Sequence, residues 1–131
     1  MAFPIGAALA AFLAAGAAPT DAGAGVPAAQ QQVVPVIAPG ALKALMAGGK
    51  KFVLVDVREP GEFSAGHIEG ATLIPLGTLS GEFARLPKDV PLVVYCRSGH
   101  RSAKAVAFLL AHGYGKAVSL EGGFLAWSAA R

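Results

Sequence analysis

The hydrophobic residues of this chain come in short runs, and their period changes along the sequence. Phe52-Val53-Leu54-Val55 is a continuous apolar run that ends in Asp56. Pro91-Leu92-Val93-Val94-Tyr95 is a second, ending at Cys96. Unbroken apolar runs of this length read as strands buried on both faces, the habit of parallel sheets. Val34–Ile37, Ala71–Ile74 and Ala117–Leu120 are shorter strand candidates, with Pro35 tolerable at a sheet edge. Between these runs the spacing turns helical. Pro39 suits the first turn of a helix reaching about Ala47, with Gly48-Gly49 as its stop. Glu59–Ser64 predicts a short helix and Leu79–Leu86 a weak one. Ser102 to Ala111 carries apolar Ala105, Val106, Phe108, Leu109 and Leu110 and closes at His112-Gly113. Phe124–Ala129 predicts the last helix. Strands alternating with helices predict an α/β domain, a mainly parallel central sheet flanked by helices.

Composition changes this picture only at the N-terminus. The length of 131 residues suits one domain. A hydrophobic fraction of 54% and a mean hydropathy of +0.55 would suggest a membrane protein if spread evenly. Residues 1–30 instead concentrate thirteen alanines, four glycines and three prolines around a single charge, Asp21. Ile5 to Ala18 is uncharged, and too short and too weakly apolar for a membrane span. It reads as the apolar region of a signal peptide over residues 1–24, with Ala22-Gly23-Ala24 as the small-x-small cleavage site. The usual Lys or Arg before the apolar region is missing. The reading is therefore an exported, periplasmic protein. The alternatives are an uncleaved leader acting as an anchor, the only membrane contact expected, and a cytoplasmic protein with an Ala/Gly/Pro tail. Residues 25–33 read as a linker, and residues 34–131 as the domain.

Residues 43–131 hold all eleven basic groups and seven acidic ones, a net of +4. That excess is too small and too scattered for a nucleic-acid partner. The single cysteine excludes an intramolecular disulfide and any multi-cysteine metal site. His67, His100 and His112 are too far apart in sequence to suggest a metal centre. No phosphate-cradling glycine motif indicates a nucleotide. No cofactor is expected.

The chemistry gathers where the clearest strand ends. Cys96 follows Tyr95, and Arg97-Ser98-Gly99-His100-Arg101 leads into the helix predicted from Ser102. Open α/β sheets place their ligand crevice at the carboxyl ends of strands. A tight loop there turns backbone N–H groups inward, and the next helix aims its positive end at them. Gly99 permits the turn. No acidic residue occurs from Val90 to Leu120, while Arg97, Arg101, Lys104 and Lys116 do. Each feature favours a thiolate, so Cys96 is the candidate nucleophile, and the five residues after it are candidates for binding an anionic substrate. Asp56 and Arg58 end the neighbouring strand and are expected to brace the loop. Glu62 reads as a surface or bracing carboxylate, and Trp127 as a core anchor.

Cys96-Arg97-Ser98-Gly99-His100-Arg101-Ser102 resembles the active-site loop of the single-domain rhodaneses, a family of sulfurtransferases. Leu54–Phe63 followed by Gly66–Ala71 resembles the first signature of that family, and Glu121-Gly122-Gly123-Phe124-Leu125-Ala126-Trp127 its last. The resemblance covers residues 34–131, departing at Ala38, where a capping Ser or Thr is common, and at His100, where Asn is common. It implies a persulfide on Cys96, loaded by a small anionic donor such as thiosulfate and discharged to cyanide, a thiol or a partner protein. It also implies that Arg97 and Arg101 orient the donor. Two other readings stay open. One is a persulfide carrier with slow turnover on small molecules. The other is a cysteine-dependent phosphatase or arsenate reductase, whose loop has five residues between Cys and Arg where this chain has four.

Overall fold

A computed structural model of the chain describes residues 33–130. The predicted leader, residues 1–24, and the predicted linker up to residue 32 lie outside the described residues. Five parallel strands form one sheet: β1 (Val36–Ile37), β2 (Val53–Asp56), β3 (Thr72–Leu73), β4 (Leu92–Tyr95) and β5 (Ala117–Leu120), in the order β1-β5-β4-β2-β3. The helices are α1 (Pro39–Ala47), α2 (Pro60–Ala65), α3 (Leu79–Glu82), α4 (His100–Ala111) and α5 (Gly123–Ala129). The α/β expectation is met, and the sheet is parallel throughout.

Strand parity decides where each side chain goes. Leu54, Val93, Tyr95 and Leu120 pack with Leu42, Ile68 and Trp127 in one buried cluster. Val55, Val57, Val94 and Cys96 point the other way and pack with Ala105, Val106 and Leu109 of α4. Each such Leu or Val contributes roughly 1.5–3 kcal/mol by leaving water. Cys96 is thus delivered to the face covered by α4. The buried positions of α4 are Ser102, Ala105, Val106 and Leu109, spaced as one helical stripe. Asp56 pairs with Tyr95 across β2 and β4, so the two strands end level. The chain leaves β2 for β3 on one side and β4 for β5 on the other. The crevice of such a sheet opens at that reversal.

Several boundaries differ from the sequence reading, each for a local reason. β1 starts at Val36, because Pro35 has no N–H and contributes only its carbonyl, which accepts from the Ser119 N–H at 2.9 Å. The helix predicted over 79–86 is broken. α3 is flanked by 3₁₀ turns at Leu76–Thr78 and Phe83–Arg85. Gly81 weakens it, and the buried Tyr114 hydroxyl shares its one hydrogen between the carbonyls of Phe83 and Leu86, at 2.8 and 2.9 Å. α2 begins at Pro60 with Glu59 as its cap, closed by a reciprocal capping box with Glu62. α4 begins at His100 rather than Ser102, and α5 at Gly123 rather than Phe124.

Candidate active site

Cys96 is the first residue past β4 and is 1% exposed. Three devices shape the loop behind it. Gly99, the cap of α4, sits at φ 113°, which turns the chain so that its own N–H points back at the Cys96 Sγ, 3.0 Å away. The Ser102 N–H, in the first turn of α4, lies 3.4 Å from the same sulfur. From the other side, the N–H groups of Phe124 and Leu125 hold the carbonyls of Cys96 and Arg97, at 2.8 and 3.0 Å. That last contact needs a glycine. A Cβ on Gly123 would stand 2.5 Å from the Arg97 oxygen and 2.6 Å from the Cys96 oxygen.

The electrostatic result is a cradle for negative charge. Burial pushes the Cys96 thiol up. Hydrogen bonds from the Ser102 hydroxyl and from the N–H groups of Ser102, Gly99 and Ser98 outweigh it, so the thiol ionises below its ordinary value. The positive end of the twelve-residue α4 acts in the same direction.

The two loop arginines are placed differently. Arg97 is exposed at the mouth, and among the described residues no carboxylate pairs with it. Arg101 lies in the first turn of α4 and reaches across to α2. Its guanidinium donates to both oxygens of Glu62, at 2.8 and 3.1 Å. Glu62 Oε1 also accepts the Glu59 N–H at 2.9 Å, and these bonds hold the Glu62 carboxyl at about 2. Arg101 is therefore a half-buried strap between the loop and α2, its charge matched by a partner. Ser98 and His100 are exposed on the rim, with Ser98 Oγ 3.5 Å from His100 Nδ1.

Asp56 and Arg58 form a buried pair below the cradle, their closest contact being 2.7 Å. Arg58 also donates to the Gly66 carbonyl at 2.7 Å, and its guanidinium lies 4.6 Å from the Phe124 ring centre. The pair thus joins the end of β2, the end of α2 and the start of α5. Tyr95 completes the joint by accepting the Ile68 N–H at 3.0 Å, and burial raises its ionisation well above the ordinary phenol value. His67 stacks on Phe63 at the surface, and His112 contacts the Phe108 carbonyl near the end of α4. Among the described residues, no three His, Cys, Asp or Glu side chains converge as metal ligands would. An open cleft of about 200 Å³ beside the loop is lined by Glu62, Ala65, Arg97, Phe124 and Leu125.

The family model for the rhodanese-like domain matches residues 38–130. The chain belongs to the rhodanese-like family. This rhodanese-like domain is 44% identical over 103 residues to the probable adenylyltransferase/sulfurtransferase MoeZ of Mycobacterium tuberculosis, covering 77% of the chain but only 26% of that longer protein. It is 36% identical over 91 residues to the thiosulfate sulfurtransferase GlpE of Pseudomonas aeruginosa, covering 70% of the chain and 81% of the relative. The crystal structure of a rhodanese-like domain protein from Staphylococcus aureus superimposes with a TM-score of 0.68 at 36% identity, covering 71% of this chain and 90% of that one.

Sequence reasoning missed the sulfur's hydroxyl neighbour. Ser102 Oγ lies 3.6 Å from the Cys96 Sγ and 2.8 Å from Ser119 Oγ on β5. The available signal was a polar residue inside an apolar stripe, Ser102 on α4 and Ser119 within Ala117–Leu120. It also missed that Glu62 is the partner of Arg101.

Proposed function

We propose that this rhodanese-like domain is a sulfurtransferase that works through a persulfide on Cys96. The observation that carries the reading is the pair of backbone N–H groups, from Gly99 and Ser102, directed at the Cys96 sulfur. In the first half-reaction the Cys96 thiolate attacks the sulfane sulfur of thiosulfate or a related anionic donor. The donor S–S bond breaks and sulfite leaves with the electron pair. The negative charge passes to the outer sulfur of the persulfide, held over the loop N–H groups. In the second, a thiolate or cyanide attacks that outer sulfur, and Cys96 leaves as a thiolate onto the same hydrogen bonds. Both steps are displacements at sulfur and need no cofactor. Arg97 serves as the cation that draws the donor to the mouth. The similarity to a thiosulfate sulfurtransferase supports thiosulfate as a donor.

Phosphate chemistry is disfavoured by the placement of Arg101. A phosphatase cradle needs its arginine turned onto the phosphate, and here the guanidinium is engaged by Glu62. We also propose export, on the strength of the Ala-rich N-terminus. The deciding experiment is intact mass spectrometry before and after thiosulfate. One added sulfur is expected on the native chain and none on Cys96→Ser, which should fold normally and lose thiosulfate:cyanide transfer. Transfer by that variant would overturn the mechanism.

A further inference from the structure

Ser119 is a polar side chain on an interior strand, 3% exposed, between β1 and β4. Its backbone is pinned on both sides, pairing with Val36 and with Val94. Its hydroxyl faces α4 and meets Ser102 Oγ at 2.8 Å, and among the described residues it has no other side-chain partner. Ser102 is fully buried, and its oxygen has two further neighbours, the Gly99 carbonyl at 3.3 Å and the Cys96 sulfur at 3.6 Å. A hydroxyl carries one hydrogen and can accept two. If Ser102 donated to Ser119 at 2.8 Å, little of its one hydrogen would be left for the longer contacts, and among the described residues the Ser119 hydrogen would be left without an acceptor. The satisfied arrangement runs the other way, with Ser119 donating to Ser102 and Ser102 free to donate to sulfur or carbonyl.

We propose that Ser119 is a positioning residue for the reactive sulfur, its hydroxyl setting the direction of the Ser102 hydroxyl so that Ser102 donates to Cys96 whenever that sulfur carries negative charge. This rests on Cys96 being the reactive sulfur. When the outer atom of a persulfide carries the charge, Sγ is a poor acceptor and the Ser102 hydrogen turns to the Gly99 carbonyl. When Cys96 leaves as a thiolate, the hydrogen turns back. A contact made as charge develops lowers the barrier to discharge and not merely the energy of the resting state. A bond that Ser102 accepts also strengthens the one it donates.

The test uses the purified full chain and the pH dependence of Cys96 alkylation by iodoacetamide, which needs no sulfur donor. Ser119→Thr keeps a hydroxyl, and Ser119→Val has nearly the same shape without one. Val should raise the alkylation midpoint by a few tenths of a pH unit and Thr should leave it near the native value. Ser119→Ala gives the same reading with the least packing change, should Val fold poorly. In a Ser102→Ala background the Ser119 substitutions should have no further effect, because the relay is already cut. Discharge of a preloaded persulfide to a thiol should be slower with Val than with Thr, at a pH above both midpoints. Equal midpoints for Thr, Val and Ala, or an undiminished Ser119 effect in the Ser102→Ala background, would overturn the proposal. Failure to form any persulfide, with the alkylation shifts intact, would instead refute the sulfurtransferase reading and leave the relay standing.

Discussion

Gly123→Ala tests whether the start of α5 shapes the nucleophile loop. Gly123 sits at φ 60°, and an added Cβ would fall 2.5 Å from the Arg97 oxygen and 2.6 Å from the Cys96 oxygen. Both are backbone atoms, so no side chain can swing aside. The left-handed conformation costs an alanine about 1–2 kcal/mol, and relieving the overlap costs about 1–3 kcal/mol more. The total of roughly 2–5 kcal/mol is a large part of the roughly 5–15 kcal/mol that holds a domain of this size together. It should lower the thermal midpoint by roughly 10–30 °C. The overlap also pushes apart the loop and the N–H groups of Phe124 and Leu125, which loosens the turn that aims the Gly99 N–H at sulfur. The alkylation midpoint of Cys96 should therefore rise in the fraction that stays folded. Gly122→Ala is the control. It is also left-handed, but its Cβ would strike Ala126 within α5, 2.5 Å away, and not the loop. It should lower stability and leave the Cys96 midpoint nearly unchanged. Calorimetry and alkylation at several pH values read both effects. Native stability for Gly123→Ala, or equal midpoint shifts for the two variants, would refute the reasoning.

The Arg101–Glu62 strap predicts an acid limb of stability. Glu62 ionises at about 2 in the folded chain against an ordinary 4.5. Its stabilisation is therefore full above the unfolded value and is lost as pH falls from about 4.5 through about 2. Glu62→Gln should flatten that limb in denaturant titrations followed from pH 6 to pH 2, and an unchanged limb would remove the strap from the account. Arg97→Ala should reduce kcat/KM for thiosulfate about threefold to tenfold at low salt, and less at high salt, with stability unchanged. Arg101→Ala should lower stability as well, and the reverse pattern would exchange the two roles. The export proposal predicts a mature chain from the native host that starts near Gly25. Mass spectrometry that finds Met1 retained in a cytosolic fraction would refute it.

Much of the site was legible before any fold was known, because its elements are local. The run Leu92–Tyr95 had to be a buried strand. A cysteine at its end, followed by a glycine-bearing basic loop and an amphipathic run, had to lie where strand gives way to helix. Which face of the sheet Cys96 joins was not legible, because Leu92–Tyr95 is apolar on both faces and buried throughout, and only the packed structure sets Cys96 against α4. What the sequence could not supply were partners distant along the chain. Arg101 and Glu62 are 39 residues apart, and Ser102 and Ser119 are 17 apart. Their meeting depends on which strands are neighbours and in what register. Arg101 in a linear motif reads as a free cation, and only the position of α2 beside the loop turns it into a strap. The start of α4 illustrates the same limit. The apolar spacing starts the helix at Ser102, whereas it begins two residues earlier, where Gly99 turns left-handed and the sulfur itself accepts the Gly99 and Ser102 N–H groups. Local propensity is set by each residue and its near neighbours. The ownership of a hydrogen bond or a charge is set by geometry, which exists only once the sheet has closed.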